Sequence, residues 1–209
     1  MINKKVAILW SGGVDSTSVL KQYLEATNFR ILVIHLNYVT PNQDERYIYE
    51  MEAVNRMLPK LKEIRDFEYT TLNLGFEKDI FSGDLILFAA SVFVLAASQG
   101  CKEIIIGFVS DIRKNQSFYV KNKLFAMNSL CEVIAKFDNY KRIPRFKKPI
   151  KGIYGSKSYY IEKLGEVFPL THWCRNPTEI KQGEHGCGHC MPCKHITRIL
   201  EIKAKIVSE

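Results

Sequence analysis

Apolar positions along the chain follow two periods in turn, one suited to strands and one to helices. Residues 5–10 form a short β-rich apolar run, and residues 14–26 place Val14, Val19, Leu20 and Tyr23 at helical spacing. Residues 31–36 are continuously apolar, the pattern of a strand covered on both faces. Residues 45–57 read as a helix stopped by Pro59, and residues 67–74 alternate as a strand does. Residues 84–98 are strongly apolar and end near Gly100, a helix stop. Residues 103–107 give another short strand and residues 116–137 a long helix. After Pro149 the pattern breaks into turns, a short helix over 156–164, a cysteine-rich stretch and a last helix over 194–207.

This βαβα rhythm predicts an α/β fold: a doubly wound, mostly parallel sheet with helices on both faces. In such sheets the ligand site lies at the carboxyl ends of the strands, where the loops after Trp10 and Gly107 fall. The chain reads as a single domain over residues 1–209, with a zinc-binding subregion over about 170–209.

Composition changes this picture little. The 209 residues suffice for one core, and 46% apolar with 25% charged residues is ordinary for a globular protein. No apolar run reaches the roughly 20 residues that span a bilayer. No small-residue cleavage site follows the first strand-like run, so a cytoplasmic location and no membrane partner are expected. The net charge of +8 concentrates in part at Lys141, Arg142, Arg145, Lys147, Lys148 and Lys151. That stretch suits nucleic acid, or a solvated face on a protein that handles anions.

The chemistry lies in two strings. Ser11-Gly12-Gly13-Val14-Asp15-Ser16-Thr17 follows a predicted strand and opens a predicted helix. Its glycines allow a sharp turn and close approach to an anion, and the first helical N–H groups would face a phosphate. Ser11, Ser16 and Thr17 offer hydroxyl donors, whereas Asp15 suits a helix cap or a magnesium ion. The string resembles the PP-loop signature SGGxDS and has no Walker A Gly-Lys-Ser/Thr. Enzymes with that loop cleave ATP between the α and β phosphates and adenylate an oxygen of their substrate.

The second string is Cys187-Gly-His-Cys190-Met-Pro-Cys193, with Cys174 upstream of Cys187 and twelve residues between them. Two overlapping CxxC units and one distant cysteine suit a closed zinc site. His172, His185, His189 and His195 lie close enough for one of them to replace a cysteine, and an iron–sulfur cluster is an alternative occupant. Cys101 and Cys131 stand alone and read as buried small hydrophobes.

With both strings in place, the chain resembles the 7-cyano-7-deazaguanine synthase family (QueC). Gly155-Ser156-Lys157 after Pro149-Ile150, Thr171-His172-Trp173-Cys174, and Gly107 followed by Asp111 match further pieces of that family in order. The resemblance implies ATP, magnesium and zinc as cofactors and 7-carboxy-7-deazaguanine as the acid activated. It implies phosphate binding by Ser11 to Thr17, and catalytic roles for Asp15, Asp111 and Lys157. Members are often dimers, so a homodimer is expected. Departures are equally visible. The family's Tyr-Pro-Asp-Cys-Arg after the loop aspartate is replaced here by residues 112–119, its Arg-Asn by Gly83-Asp84, and its Tyr-Gly-Gln by Tyr38-Val39-Thr40. Divergent relatives occur in bacterial antiphage operons, and for these the resemblance implies a protein amine as acceptor in place of ammonia. The alternative is a PP-loop enzyme that thiolates or amidates tRNA.

Overall fold

The computed structural model describes residues 4–39, 46–75, 84–109, 114–138, 140, 143–180 and 186–208. Strand β1 (Lys5–Leu9) leads into helix α1 (Val14–Ala26), strand β2 (Arg30–Val39) into α2 (Arg46–Ile64), and β3 (Glu68–Gly75) into α3 (Asp84–Ser98). Strand β4 (Glu103–Ile105), α4 (Lys114–Phe137), β5 (Arg145–Lys147), α5 (Lys157–Leu164) and α6 (Met191–Ser208) complete the order, with a 3-10 segment over Gly165–Leu170. The sheet runs β3-β2-β1-β4-β5, and every described pair is parallel. From β1 the chain winds outward to β3, then crosses back to β4 on the other side of β1. The switch point of the sheet therefore lies between β1 and β4.

Alternation within the strands builds the two faces. Val6, Ile8, Ile31 and Val33 point to a core shared with α1, α2 and α5. Ala7, Leu32 and Ile34 point to a second core with α3 and α4. Residues 31–35 are all buried, as expected of a strand covered on both sides.

Three boundaries differ from the sequence pattern. Helix α2 does not stop at Pro59 but runs on to Ile64. Met57 and Leu61 are fully buried on its inner face, while Pro59 and Asn55 are exposed. The carbonyl that loses its i+4 donor therefore faces water, and burial of the far turn offsets the break. Helix α6 starts at Met191 rather than 194, because the Lys194 N–H already bonds to the Cys190 carbonyl at 3.0 Å. Pro192 falls in the first turn, where no donor is needed. Strand β5 was hidden among basic residues. Its Phe146 is buried, and the Asn128 amide bonds both the N–H and the C=O of Phe146, at 2.8 and 3.1 Å, capping the open edge.

The basic stretch is correspondingly less of a free cationic patch than its composition suggests. Lys147 pairs with Glu103 at 2.5 Å, Arg145 with Glu132 at 2.6 Å, and Lys148 lies over the Tyr154 ring. Lys141 and Arg142 lie outside the described residues. No described helix is long and apolar enough to cross a membrane.

Candidate functional site

A cleft of about 450 Å³ opens over the switch point. Its floor is apolar, built by Leu9, Ile34, Leu36, Phe88 and Ile106 from the strand ends and α3. Its polar end is made by Ser11, Gly13, Asp15, Ser16 and Lys157, with Tyr47 and Glu50 of α2 beside them. A third wall comes from His172, Trp173, Cys174, Arg175 and Pro192.

The turn after β1 shapes the polar end. Gly12 has φ of +73°, and a side chain there would meet the Glu50 carbonyl at 2.9 Å. Gly107, leaving β4, packs so closely that a Cβ would sit 2.9 Å from the Ser16 backbone. Both positions demand glycine, one for its torsion and one for its lack of bulk. The N-cap of α1 is Gly13, which offers no side chain to the first-turn N–H groups. Asp15 is thus not the cap: its carboxylate pairs with Lys157 Nζ at 2.5 Å. The Ser11 and Ser16 hydroxyls bond each other at 3.1 Å across the loop. A helix start with glycine at its N-cap, two hydroxyls and a lysine converging there suit a polyanion.

Thr17 is turned away from this cleft. It is fully buried, and its hydroxyl accepts from the Trp10 indole N–H at 2.9 Å. Its expected hydroxyl contribution to an anion is replaced by support of the strand end. Asp111 lies outside the described residues, as do Gly83 and the 112–113 segment of the departing string.

Lys157 reaches the cleft because Ser156 caps α5, its hydroxyl accepting from the Tyr159 N–H at 3.1 Å. Helix α5 packs along α1 and holds the loop after β4. The Tyr160 hydroxyl donates to the Phe108 carbonyl at 2.7 Å and Tyr154 to the Val109 carbonyl at 3.0 Å. Burial raises the Tyr160 phenol well above its ordinary value, so it remains a donor.

The four tail cysteines come together. The sulfurs of Cys174, Cys187, Cys190 and Cys193 all lie within 4.8 Å of one another, and the cluster can hold a metal ion. Backbone N–H groups of Asn176 and Cys187 donate to Cys174 Sγ at 3.3 and 3.4 Å, and Cys190 N–H to Cys187 Sγ at 3.4 Å. Such bonds favour thiolates, although at Cys174 burial outweighs them and raises the thiol. Burial raises the Cys190 thiol, but backbone bonds at Arg175 and Cys193 and neighbouring thiols outweigh it and leave it at about 7. Cys101 and Cys131 are buried elsewhere, which pushes their thiols up to about 11 and about 12. Both match the expectation of inert core residues.

Sequence reasoning missed His172 as a structural link, and missed Glu50, Tyr47, Trp173 and Arg175 as cleft walls. The His172 N–H bonds the Gly12 carbonyl at 2.9 Å, and its Nε2–H donates to the Cys174 carbonyl at 2.8 Å. Its Nε2 is thereby engaged by a carbonyl rather than a metal. His185 lies outside the described residues. Only spatial proximity marks these residues, since each sits far from the Ser11–Thr17 string in sequence.

No family model matches the chain, and no curated protein matches it. Among solved structures it is similar to the U34-tRNA thiolase NcsA from Methanococcus maripaludis, determined with its [4Fe-4S] cluster. The TM-score is 0.52 at 14% identity, over 97% of this chain and 67% of that one. The fold is the PP-loop fold. More distant matches are a universal stress protein from Arabidopsis thaliana with AMP bound (TM-score 0.35, 11% identity, 71% of this chain and 93% of that one) and NAD+ synthetase from Burkholderia pseudomallei (TM-score 0.27, 11% identity, 95% and 82%).

Proposed function

We propose that the chain is an ATP-dependent ligase that adenylates a carboxylate, that of 7-carboxy-7-deazaguanine in the first instance, and passes the acyl group to an amine. One observation carries the reading. A glycine-shaped helix start, with Gly13 as its N-cap and Lys157 beside it, closes one end of a cleft whose floor is apolar. Triphosphate suits the polar end and a purine the apolar floor.

In this reading the carboxylate oxygen attacks the α-phosphorus and the α–β phosphoanhydride bond breaks. Pyrophosphate leaves into the loop of Ser11, Gly12, Gly13, Val14 and Ser16. Lys157 lets go of Asp15 and neutralises charge building on the phosphate oxygens. Asp15, and Asp111 from the loop after β4, would hold magnesium, which supplies charge neutralisation at the phosphates. An amine nitrogen then attacks the acyl carbon and AMP departs. Ammonia would give an amide, which a second ATP dehydrates to the nitrile; a protein amine would give a stable amide from one ATP.

For the metal, the compact cysteine spread supports zinc. A single tetrahedral ion with bonds of ~2.3 Å places its sulfurs ~3.8 Å apart. A four-iron cluster carries each thiolate on a separate iron and needs a wider ring. The thiolase reading is correspondingly less favoured here. The two cysteines outside the cluster are buried with raised thiols, which leaves no accessible sulfur carrier among the described residues.

The test is pyrophosphate release with and without 7-carboxy-7-deazaguanine, with mass spectrometry of the product. Acid-dependent release supports the reading, and the product mass separates nitrile from amide. Release driven by tRNA and not by the acid would replace it with tRNA modification.

A further inference from the structure

The cysteine arm is not remote from the phosphate loop. Cys174 belongs to the metal-holding cluster and also lines the cleft. Two residues before it, His172 is buried with 9% of its surface exposed, and it joins three parts of the molecule. Its backbone N–H bonds the Gly12 carbonyl at 2.9 Å. Its own carbonyl lies against Gly13, where a Cβ would stand 3.2 Å away. Its ring donates Nε2–H to the Cys174 carbonyl at 2.8 Å and stacks on Tyr49 of α2, with centroids 5.8 Å apart. The residue after Tyr49 is Glu50, whose carbonyl would stand 2.9 Å from a Cβ placed on Gly12. The Gly12–Gly13 turn is therefore packed against α2 and bonded by His172, whose ring is fixed on the peptide of a cysteine of the metal-holding cluster.

We propose that His172 is a positioning residue that couples metal occupancy of the four cysteines to nucleotide affinity at the phosphate loop. The inference rests on the nucleotide-binding reading of the cleft. A metal draws the Cys174 sulfur to a fixed point, and with it the Cys174 carbonyl that the imidazole grips. The imidazole in turn fixes the peptide that bonds Gly12. When the arm is loose, the turn samples arrangements in which its N–H groups no longer converge, and a polyanion must bear the cost of ordering them. By linkage, whatever factor the metal adds to nucleotide binding, nucleotide adds to metal binding.

That reciprocity supplies a test that starts from the zinc-loaded protein. Zinc affinity is measured by competition with a chromogenic chelator at equilibrium, with and without saturating adenosine 5'-(α,β-methylene)triphosphate, whose binding is measured separately by calorimetry. In the wild type the analogue is expected to tighten zinc about fivefold or more, within the usual range of coupling. In His172→Phe, which keeps a ring against Tyr49 but has no Nε2–H, the factor should fall below about twofold while one zinc per chain is retained. His172→Gln, whose amide can donate to the same carbonyl, should recover most of it. Bound analogue with unchanged zinc affinity in the wild type would overturn the coupling, whatever the variants do. An equal factor in the wild type and His172→Phe would overturn the role of His172. If the wild type binds no analogue at all, the nucleotide reading of the cleft fails and the coupling falls with it.

Discussion

The phosphate loop and the cysteine arm meet in one cleft, yet they reach it by different means. The loop is local: seven consecutive residues between β1 and α1, shaped by one positive torsion at Gly12 and one close approach from Gly107. The arm is assembled: Cys174 follows a 3-10 turn, Cys187 and Cys190 sit on a loop, and Cys193 lies in the first turn of α6. A local element fails when its own backbone is disturbed. An assembled one fails when any ligand is lost, and it can carry that failure to its neighbour. The comparison therefore predicts separable defects in the loop and linked defects in the arm.

The largest effect expected is at the arm. Cys190→Ser or Cys193→Ser should abolish stoichiometric zinc binding and lower Tm by roughly 10 °C or more, since metal binding and folding are one equilibrium there. Metal analysis and thermal denaturation check it, and a full zinc complement would break the assembled-arm view. Next come the loop variants. Gly107→Val drives a side chain into the Ser16 backbone and should cut pyrophosphate release about 10²-fold or more with zinc content unchanged. Lys157→Ala should lower kcat by about 10²–10³-fold while stability moves by less than ~1 kcal/mol, because the Asp15–Lys157 pair is partly solvated. Steady-state kinetics and denaturant titration separate the two quantities.

Smaller effects sharpen the contrast further. Cys131→Ser puts a hydroxyl into the α3–α4 core and should cost about 1–3 kcal/mol without changing zinc stoichiometry or turnover. The smallest concerns His35, buried beneath the loop, where its Nδ1–H donates to the Trp10 carbonyl at 2.9 Å and Nε2 has no partner among the described residues. Burial lowers its pKa, so the unfolded chain takes up a proton near pH ~6.5 that the folded chain refuses. The stability His35 contributes is present above that pH and declines as pH falls toward the lower folded value. Tm should fall more steeply from pH 7 to 5.5 in the wild type than in His35→Phe.

Much of the architecture was legible because its signals are short-range. The apolar runs at residues 5–10 and 31–36, the glycine turn and the CxxC spacing each act within a few residues: the runs form strands, Gly12 turns with positive φ, and the cysteines lie together. What was not legible depends on partners distant in sequence. Pro59 signals a helix end, and only the buried Met57 and Leu61 override it. Strand β5 is three residues long and two-thirds basic, and it exists because Phe146 finds the α4 core and Asn128 closes its edge. Asp15 looks like a helix cap until α5 brings Lys157 beside it, 142 positions away. His172 looks like a spare zinc ligand until its ring is seen on the Cys174 carbonyl.

The central claim is that the cleft breaks ATP at its α–β bond. The most direct measurement is to resolve the nucleotide products after incubation of the zinc-loaded protein with magnesium, ATP, 7-carboxy-7-deazaguanine and an ammonium salt as amine donor. The account predicts AMP and pyrophosphate in equal amounts, dependent on the acid and lost in Gly107→Val. ADP and inorganic phosphate, or AMP formed equally well without any acid or acceptor, would contradict it.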